Sequence, residues 1–342
     1  MININSLVRE NVRNLSPYSC ARDEFKGKAG IFMDANENPY GTLNRYPDPY
    51  QSELKDAISE LKGIAAEKIF LGNGSDEVID LCYRIFCNPG SDKALTFTPT
   101  YGMYEVSASV NDINLIRVPL NEDFHIDMVK VRPLLDDSNL KLIFICSPNN
   151  PTGNCFNNND ITEIIETFKG IVVIDEAYAD FSEKTSFLGS LEKYPNLIIM
   201  QTFSKAFALA AIRIGMAFAN PEIIRFFNKI KPPYNISTIN QRSALKKLGK
   251  INQVRAQVKR IRQEKTRVTA AFKKLSLIEK IFPSDSNFLL VKVKDAGLVY
   301  NKLTDMGIII RNRNSVAPGC LRITIGTRNE NNKLIKALNT IN

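Results

Sequence analysis

Residues 140–146, LKLIFIC, are an almost unbroken apolar run that stops at a polar cluster, SPNNPTG (147–153). A run of this kind fits a strand buried on both faces. Comparable β-branched runs recur at KALTFT (93–98), INLIRV (113–118), IVVID (171–175), LIIMQTF (197–203) and IGMAFA (214–219). Helical patterns lie between several of them, as in SDEVIDLCYRIFC (75–87) and DITEIIETFK (160–169). Such alternation predicts an α/β fold, with a large, mostly parallel sheet covered by helices on both faces, over residues 45–230.

Two prolines in NKIKPPYNIST (228–238) interrupt the pattern, and a long helical stretch follows. After it come SNFLLVKV (286–293), a helix near 296–306, GIIIRNRN (307–314), CLRITIGT (320–327) and a closing helix in ENNKLIKALNTI (330–341). These predict a smaller α+β domain over 231–342. Residues 1–44 fit neither pattern and are expected to form an arm, partly joined to the small domain, that packs on it or on a partner subunit.

Composition narrows the function. The 342 residues are 44% hydrophobic and 24% charged, as in ordinary globular proteins. No apolar run approaches the roughly 18 residues of a membrane span, and the N-terminus does not resemble a secretory signal. Cys20, Cys82, Cys87, Cys146, Cys155 and Cys320 contain no C-x-x-C pair, which predicts reduced thiols in a cytoplasmic protein and no metal site. The net charge of +9 raises nucleic-acid binding as a possibility. Its densest stretch, 253–275, spaces Val254, Val258, Ile261, Val268 and Phe272 as in a helix, so the charge reads as a solvated amphipathic face. Positive charge also attracts small anions, and no nucleic-acid partner is expected. His125 is the single histidine, and no nucleophile-elbow motif accompanies it, which argues against a Ser–His–Asp hydrolase.

In α/β sheets, ligands gather beyond the carboxyl ends of the strands, and four polar clusters fall there. LGNGSDEVID (71–80) offers Gly72, Gly74, Ser75 and Asp76 at a helix start. It lacks the dinucleotide fingerprint and the P-loop lysine, which leaves a turn with free amides suited to one phosphate. Asn149 and Asn150 either form a plain turn or present an amide to a ligand. Asp175, with Tyr178 three residues on, either caps a helix or pairs with a cationic ligand nitrogen. TFSKAFALAAIRIG (202–215) sets Lys205 among apolar residues, between the hydroxyls of Thr202 and Ser204 and ahead of Arg213. One reading is a helix capped by Ser204 with a solvated lysine. The other is an amine of lowered pKa, able to act as nucleophile and base. An imine-forming lysine, an aspartate for a pyridinium nitrogen and a phosphate cradle together describe a pyridoxal-phosphate site.

The chain resembles the fold-type I aminotransferases and, among them, is similar to the histidinol-phosphate aminotransferase family. The likeness rests on ENVRNLSPYSCAR, DANENPYG, NRYPDPY, GNGSDE, PTYGMY, CSPNNPTG, DEAYADF, TFSKAF, RIGMAFA and CLRITIGT, in that order along nearly the whole chain. The resemblance implies pyridoxal 5'-phosphate as cofactor, with Lys205 holding it covalently and shuttling a proton. It implies Asp175 on the ring nitrogen, Asn150 and Tyr178 on the ring hydroxyl, and Tyr101 over the ring. Gly74, Ser75, Asp76, Thr202, Ser204 and Arg213 would surround the cofactor phosphate. Tyr46 would reach the partner's cofactor in a homodimer, and Arg322 would hold the glutamate carboxylate. Tyr18, Asn36, Arg311 and Arg322 would bind substrate.

Gln201, Ala211 and Met216 depart from the pattern expected at their positions, where arginine, glycine and an aromatic are frequent. None carries a proposed chemical role. The implied reaction exchanges L-histidinol phosphate and 2-oxoglutarate for imidazole-acetol phosphate and L-glutamate. The alternatives are an aromatic amino acid aminotransferase, a phosphothreonine decarboxylase of the same fold, and a basic nucleic-acid-binding protein.

Overall fold

The computed structural model describes residues 3–20 and 31–341. Its first half runs α1 (Ile4–Leu7), α2 (Glu10–Asn14), α3 (Ser52–Lys62), β1 (Ile69–Asn73), α4 (Ser75–Phe86), β2 (Lys93–Thr98), α5 (Met103–Val110), β3 (Asn114–Pro119), α6 (Met128–Val131) and β4 (Leu140–Cys146). There follow α7 (Asn158–Thr167), β5 (Ile171–Asp175), β6 (Leu197–Thr202), β7 (Ile214–Ala219), α8 (Pro221–Ile230), α9 (Thr238–Leu248) and α10 (Ile251–Phe272). The chain closes with β8 (Ile278–Ile281), β9 (Phe288–Val293), α11 (Ala296–Asp305), β10 (Arg311–Asn312), β11 (Cys320–Thr324) and α12 (Arg328–Ile341).

Seven strands form one sheet in the order β1-β7-β6-β5-β4-β2-β3. Strands β2 to β6 pair in parallel, and β7 runs antiparallel to both its neighbours. Every residue of β5, β6 and β7 is buried, because helices cover both faces and leave no wet side. The apolar runs are therefore continuous rather than alternating. One face packs Ile143, Ile145, Val172 and Ile199 under α3 and α7, and the other packs Phe144, Val173 and Met200 under α4 and α8. The sequence of connections reverses between β2 and β4, which opens a crevice at their carboxyl ends.

Two strands were not foreseen. β1, IFLGN, is short and ends in a glycine-rich turn, and it earns its place only by pairing with the free edge of β7. β8, IEKI, carries two exposed charged residues and pairs with β9 at the edge of the second sheet, ordered β10-β11-β9-β8. The run GIIIRNRN keeps only Arg311–Asn312 as strand.

The start of the N-terminal arm departs from one of the two placements expected for it, the small domain. Ile4, Val8 and Val12 bury their side chains in the α4–α8 face of the large sheet rather than on the small domain. Helix α10 bridges both units, with Val254 and Val258 in the large core and Val268 and Phe272 in the small one. At 22 residues it is about 33 Å long, enough to span them. Arg255, Lys259 and Arg260 form the solvated face that the spacing predicts, whereas Arg262 donates to the carbonyls of Phe181 and Ser182 and Lys265 to those of Ser284 and Ser286.

Candidate active site

The parallel register brings three strand ends level. Cys146 on β4 lies opposite Asp175 on β5, Asp175 lies opposite Met200 on β6, and Thr202 faces Gly215 on β7. Whatever follows these residues therefore collects at one edge of the sheet. A cavity of about 360 Å³ opens there, between the large sheet and the β10–β11 hairpin of the small one.

Asp175 is 3% exposed. Its Oδ2 accepts a hydrogen bond from the Tyr104 hydroxyl at 2.7 Å, and its Oδ1 accepts the Ala177 amide at 3.0 Å. No α-helix follows it, so it does not serve as a helix cap. Burial raises its pKa from 3.8 to about 6, while the Tyr104 and Ala177 hydrogen bonds oppose the rise. Tyr104 is itself fully buried, stacked on Phe144 at 5.0 Å. The carboxylate thus points into the cavity on a rigid mount.

Lys205 does not begin a helix either. Residues 203–209 are a series of turns, and Ala208 and Arg213 adopt positive φ (55° and 50°). The lysine stands open to the cavity, yet enough protein surrounds it that burial is the leading cause lowering its pKa. Arg322 is the next cause, Asp175 opposes, and Arg213 contributes less. The nearby cation suggested by the sequence, Arg213, is therefore secondary to one 117 positions away in the chain (322 − 205). The ammonium lies 5.5 Å from the centre of the Tyr178 ring.

The phosphate-sized end of the cavity is built from backbone. Gly74 holds φ 81° and precedes α4 without a side-chain cap, so the first amides of α4 have no capping acceptor among the described residues. A Cβ on Gly74 would sit 2.7 Å from Arg213 Nη2. A Cβ on Gly215 would sit 2.3 Å from the Ser75 amide nitrogen. Both positions accept only glycine. Asp76 Oδ2 pairs with Arg213 Nη2 at 3.1 Å and its Oδ1 accepts the Tyr101 hydroxyl at 2.9 Å. The Ser204 amide donates to Thr202 Oγ1 at 3.1 Å.

At the opposite end three guanidinium groups converge. Arg311 and Arg322 are direct partners across the β10–β11 pair, and Arg313 shares their face two residues on. Arg322 donates to Asn150 Oδ1 and lies 5.3 Å over the Phe288 ring. Arg311 makes no ion pair among the described residues. The Nε atoms of Arg313 and Arg322 are buried without a partner. Burial and mutual repulsion lower the pKa of Arg313, with Arg322 and Arg311 as the repelling charges. Among the described residues no carboxylate pairs with these three cations, which suits the cluster to an anionic ligand.

Of the residues singled out above, Ser75, Asp76, Tyr101, Asn150, Asp175, Tyr178, Thr202, Ser204, Lys205, Arg213, Arg311 and Arg322 line this one cavity, with Gly74 beneath it. Asn149 does not; its amide ties Pro99, Thr100 and Thr152 together. Tyr18, Asn36 and Tyr46 are exposed and lie elsewhere. Asn36 and Tyr46 border a separate groove, where Tyr46 stacks on Tyr234 at 4.4 Å. Sequence reading missed Tyr104, Gly215 and Arg313. PTYGMY and RIGMAFA contain the first two, and the i, i+2 spacing of Arg311 and Arg313 was a signal for the third.

The family model described as aminotransferase class I and II matches residues 24–338. The histidinol-phosphate aminotransferase of Bacteroides fragilis (strain YCH46) is 50% identical over 342 residues, covering 99% of each chain. Among solved structures, the histidinol-phosphate aminotransferase from Clostridium acetobutylicum is similar at a TM-score of 0.81 and 26% identity, over 87% of this chain and 91% of that one. The Sinorhizobium meliloti histidinol-phosphate aminotransferase in complex with pyridoxal-5'-phosphate shares the fold at a TM-score of 0.78 and 23% identity, over 88% and 84%.

Proposed function

This chain belongs to the class I and II aminotransferases, and we propose a role for each cavity residue in the reaction of its curated relatives. It is a pyridoxal-phosphate-dependent histidinol-phosphate aminotransferase of histidine biosynthesis, exchanging L-histidinol phosphate and 2-oxoglutarate for imidazole-acetol phosphate and L-glutamate. The single observation that carries the substrate assignment is the cluster of Arg311, Arg313 and Arg322, a second anion site facing the glycine-built cradle across one cavity.

The residues fit the cofactor. Uncapped α4 amides and the close approach of Gly74 to Gly215 leave room for a phosphate, and Arg213 supplies its counter-charge. When bound, pyridoxal phosphate supplies an electron sink for the substrate carbon that loses its proton. Asp175 would hold the proton on the ring nitrogen, oriented by the Tyr104 hydroxyl. Asn150 and Tyr178 would bond the ring hydroxyl, and Tyr101 would cover the ring. Lys205 Nζ, its pKa lowered by burial and Arg322, would take the proton from the substrate carbon and return it. Arg322 would bind the carboxylate of glutamate, and with Arg311 and Arg313 the phosphate of histidinol phosphate.

A homodimer completes the reading. Tyr46 does not reach this chain's own cavity, which is the expectation for a residue that serves a partner's, and Asn36, which borders the same groove, would serve that partner site as well. Cys82, Cys87, Cys146, Cys155 and Cys320 are buried and form no disulfide, which supports a reducing compartment, and we assign the cytoplasm. No helix of the described residues is long and apolar enough to cross a membrane. The test is a transamination panel of histidinol phosphate, histidinol, phenylalanine and phosphothreonine. Histidinol phosphate should give the highest kcat/KM; a higher value for phenylalanine, or release of carbon dioxide from phosphothreonine, would overturn the substrate assignment.

A further inference from the structure

A second cleft, of about 670 Å³, shares no lining residue with the Lys205 cavity. It lies between the end of α2, helix α3, the short turn at 66–68 and helix α8. Arg13, Lys55, Arg225 and Lys229 face it, against the single carboxylate of Glu67. Arg225 lies 3.7 Å from the Glu222 carboxylate and 5.3 Å over the Phe226 ring, and Lys229 donates to the Arg13 carbonyl at 2.7 Å.

Lys55 sets this cleft apart from an ordinary basic surface. It is 8% exposed, on the side of α3 that also buries Leu54 and Ile58. Its ammonium makes no hydrogen bond or ion pair among the described residues, and the cleft is where it meets open space. Neighbouring groups are already engaged. Lys231 donates to the carbonyls of Pro49 at 2.9 Å and Pro233 at 2.8 Å. Asp48, the acid whose charge reaches Lys55, accepts the amides of Tyr50 at 2.8 Å and Ser52 at 2.6 Å. Burial first, then repulsion from Lys231, pushes the Lys55 pKa down to about 8. An ammonium so largely desolvated, without a protein partner and reaching solvent only through the cleft, is strengthened most by an anion that meets it there.

We propose that this cleft binds a small phosphate-bearing anion, with Lys55 as its central ligand and Arg13, Arg225 and Lys229 as its rim. Four cations against one carboxylate match a dianion better than a single carboxylate group. The roughly 670 Å³ available admits a small organic phosphate as readily as free phosphate. Nothing in the transamination chemistry uses this cleft, so the site is separate from catalysis.

The test titrates inorganic phosphate into the holoenzyme by calorimetry, beside Lys55→Met, Lys55→Arg and Arg311→Gln. Bound cofactor fills the glycine cradle, and Arg311→Gln identifies phosphate held at the guanidinium cluster. One binding event should persist in Arg311→Gln and Lys55→Arg and weaken about 10- to 100-fold in Lys55→Met. Glycerol phosphate run in parallel distinguishes the source: tighter binding than phosphate points to an ester, equal binding to the free ion. A second readout uses the unaltered chain. Acetylation of Lys55 by acetic anhydride, followed by peptide mapping, should slow several-fold in phosphate and not in chloride of equal ionic strength. Identical titrations for the unaltered chain and Lys55→Met, or unchanged Lys55 acetylation in saturating phosphate, overturns the site.

Discussion

Asp175→Asn should make the cofactor-free protein more stable while making it a poor enzyme. The buried carboxyl has its pKa raised from 3.8 to about 6, mainly by burial. Between those values the native state binds more protons than the unfolded chain, so stability falls as pH rises from about 4 to about 6 and levels off above. The shift of about 2 units, at 1.36 kcal/mol per unit, corresponds to about 3 kcal/mol of destabilisation at neutral pH. Asparagine keeps the volume and retains an acceptor for Tyr104 or Ala177 but removes the charge. Because its amide group loses one of those two hydrogen bonds, a net gain of about 1–3 kcal/mol is expected at pH 7.5. The gain should shrink towards zero near pH 4.5, where the native aspartate is protonated as well. Urea denaturation of the cofactor-free protein and the variant at both pH values measures it. A variant no more stable at pH 7.5, or a gain that does not change with pH, would refute the reasoning. Turnover of the loaded variant should fall by orders of magnitude, since the charge that holds the ring-nitrogen proton is gone.

The other predictions concern the two anion sites and the subunit boundary. Arg311→Gln should weaken the histidinol-phosphate half-reaction by about 10- to 150-fold while largely sparing glutamate, and Arg322→Gln should damage both; single-turnover kinetics on each half-reaction checks this. Equal losses for both substrates in Arg311→Gln would remove it from the specificity site. Gly215→Ala drives a methyl against the Ser75 amide at 2.3 Å, so the cradle must shift. A loss of about 1–3 kcal/mol in stability, read from urea midpoints, and weaker cofactor retention are expected. Mixing inactive Lys205→Ala chains with a Tyr46 variant that is itself inactive should restore activity through hybrid dimers. An active monomer by light scattering would contradict the shared site.

How far the sequence alone reaches depends on what each residue's role requires. Lys205, Asp175 and Asn150 stand at or just beyond the ends of apolar runs, so their position at the sheet edge follows from strand periodicity. The resemblance then supplied roles that spacing alone left open. Tyr104 lies on α5, 71 positions before its hydrogen-bond partner Asp175, and only the packed sheet joins them. Gly215 reads as one small residue in a strand until β1 and its turn are brought against β7, and β1 itself lacks a periodic pattern. Arg313 was legible by its spacing from Arg311, yet its unpaired Nε appears only once the hairpin closes over the cavity. The large core was not foreseen as the place of the arm's first residues because Ile4, Val8 and Val12 show a helical apolar stripe without indicating which core receives it.

Lys205 is the residue proposed to carry the cofactor. Borohydride reduction of the yellow holoenzyme, followed by peptide mass spectrometry, tests this directly. The cofactor should be fixed on the peptide holding Lys205, and Lys205→Ala should lose both that label and turnover while remaining folded. Label on a different lysine, or near-normal turnover in Lys205→Ala, would contradict it.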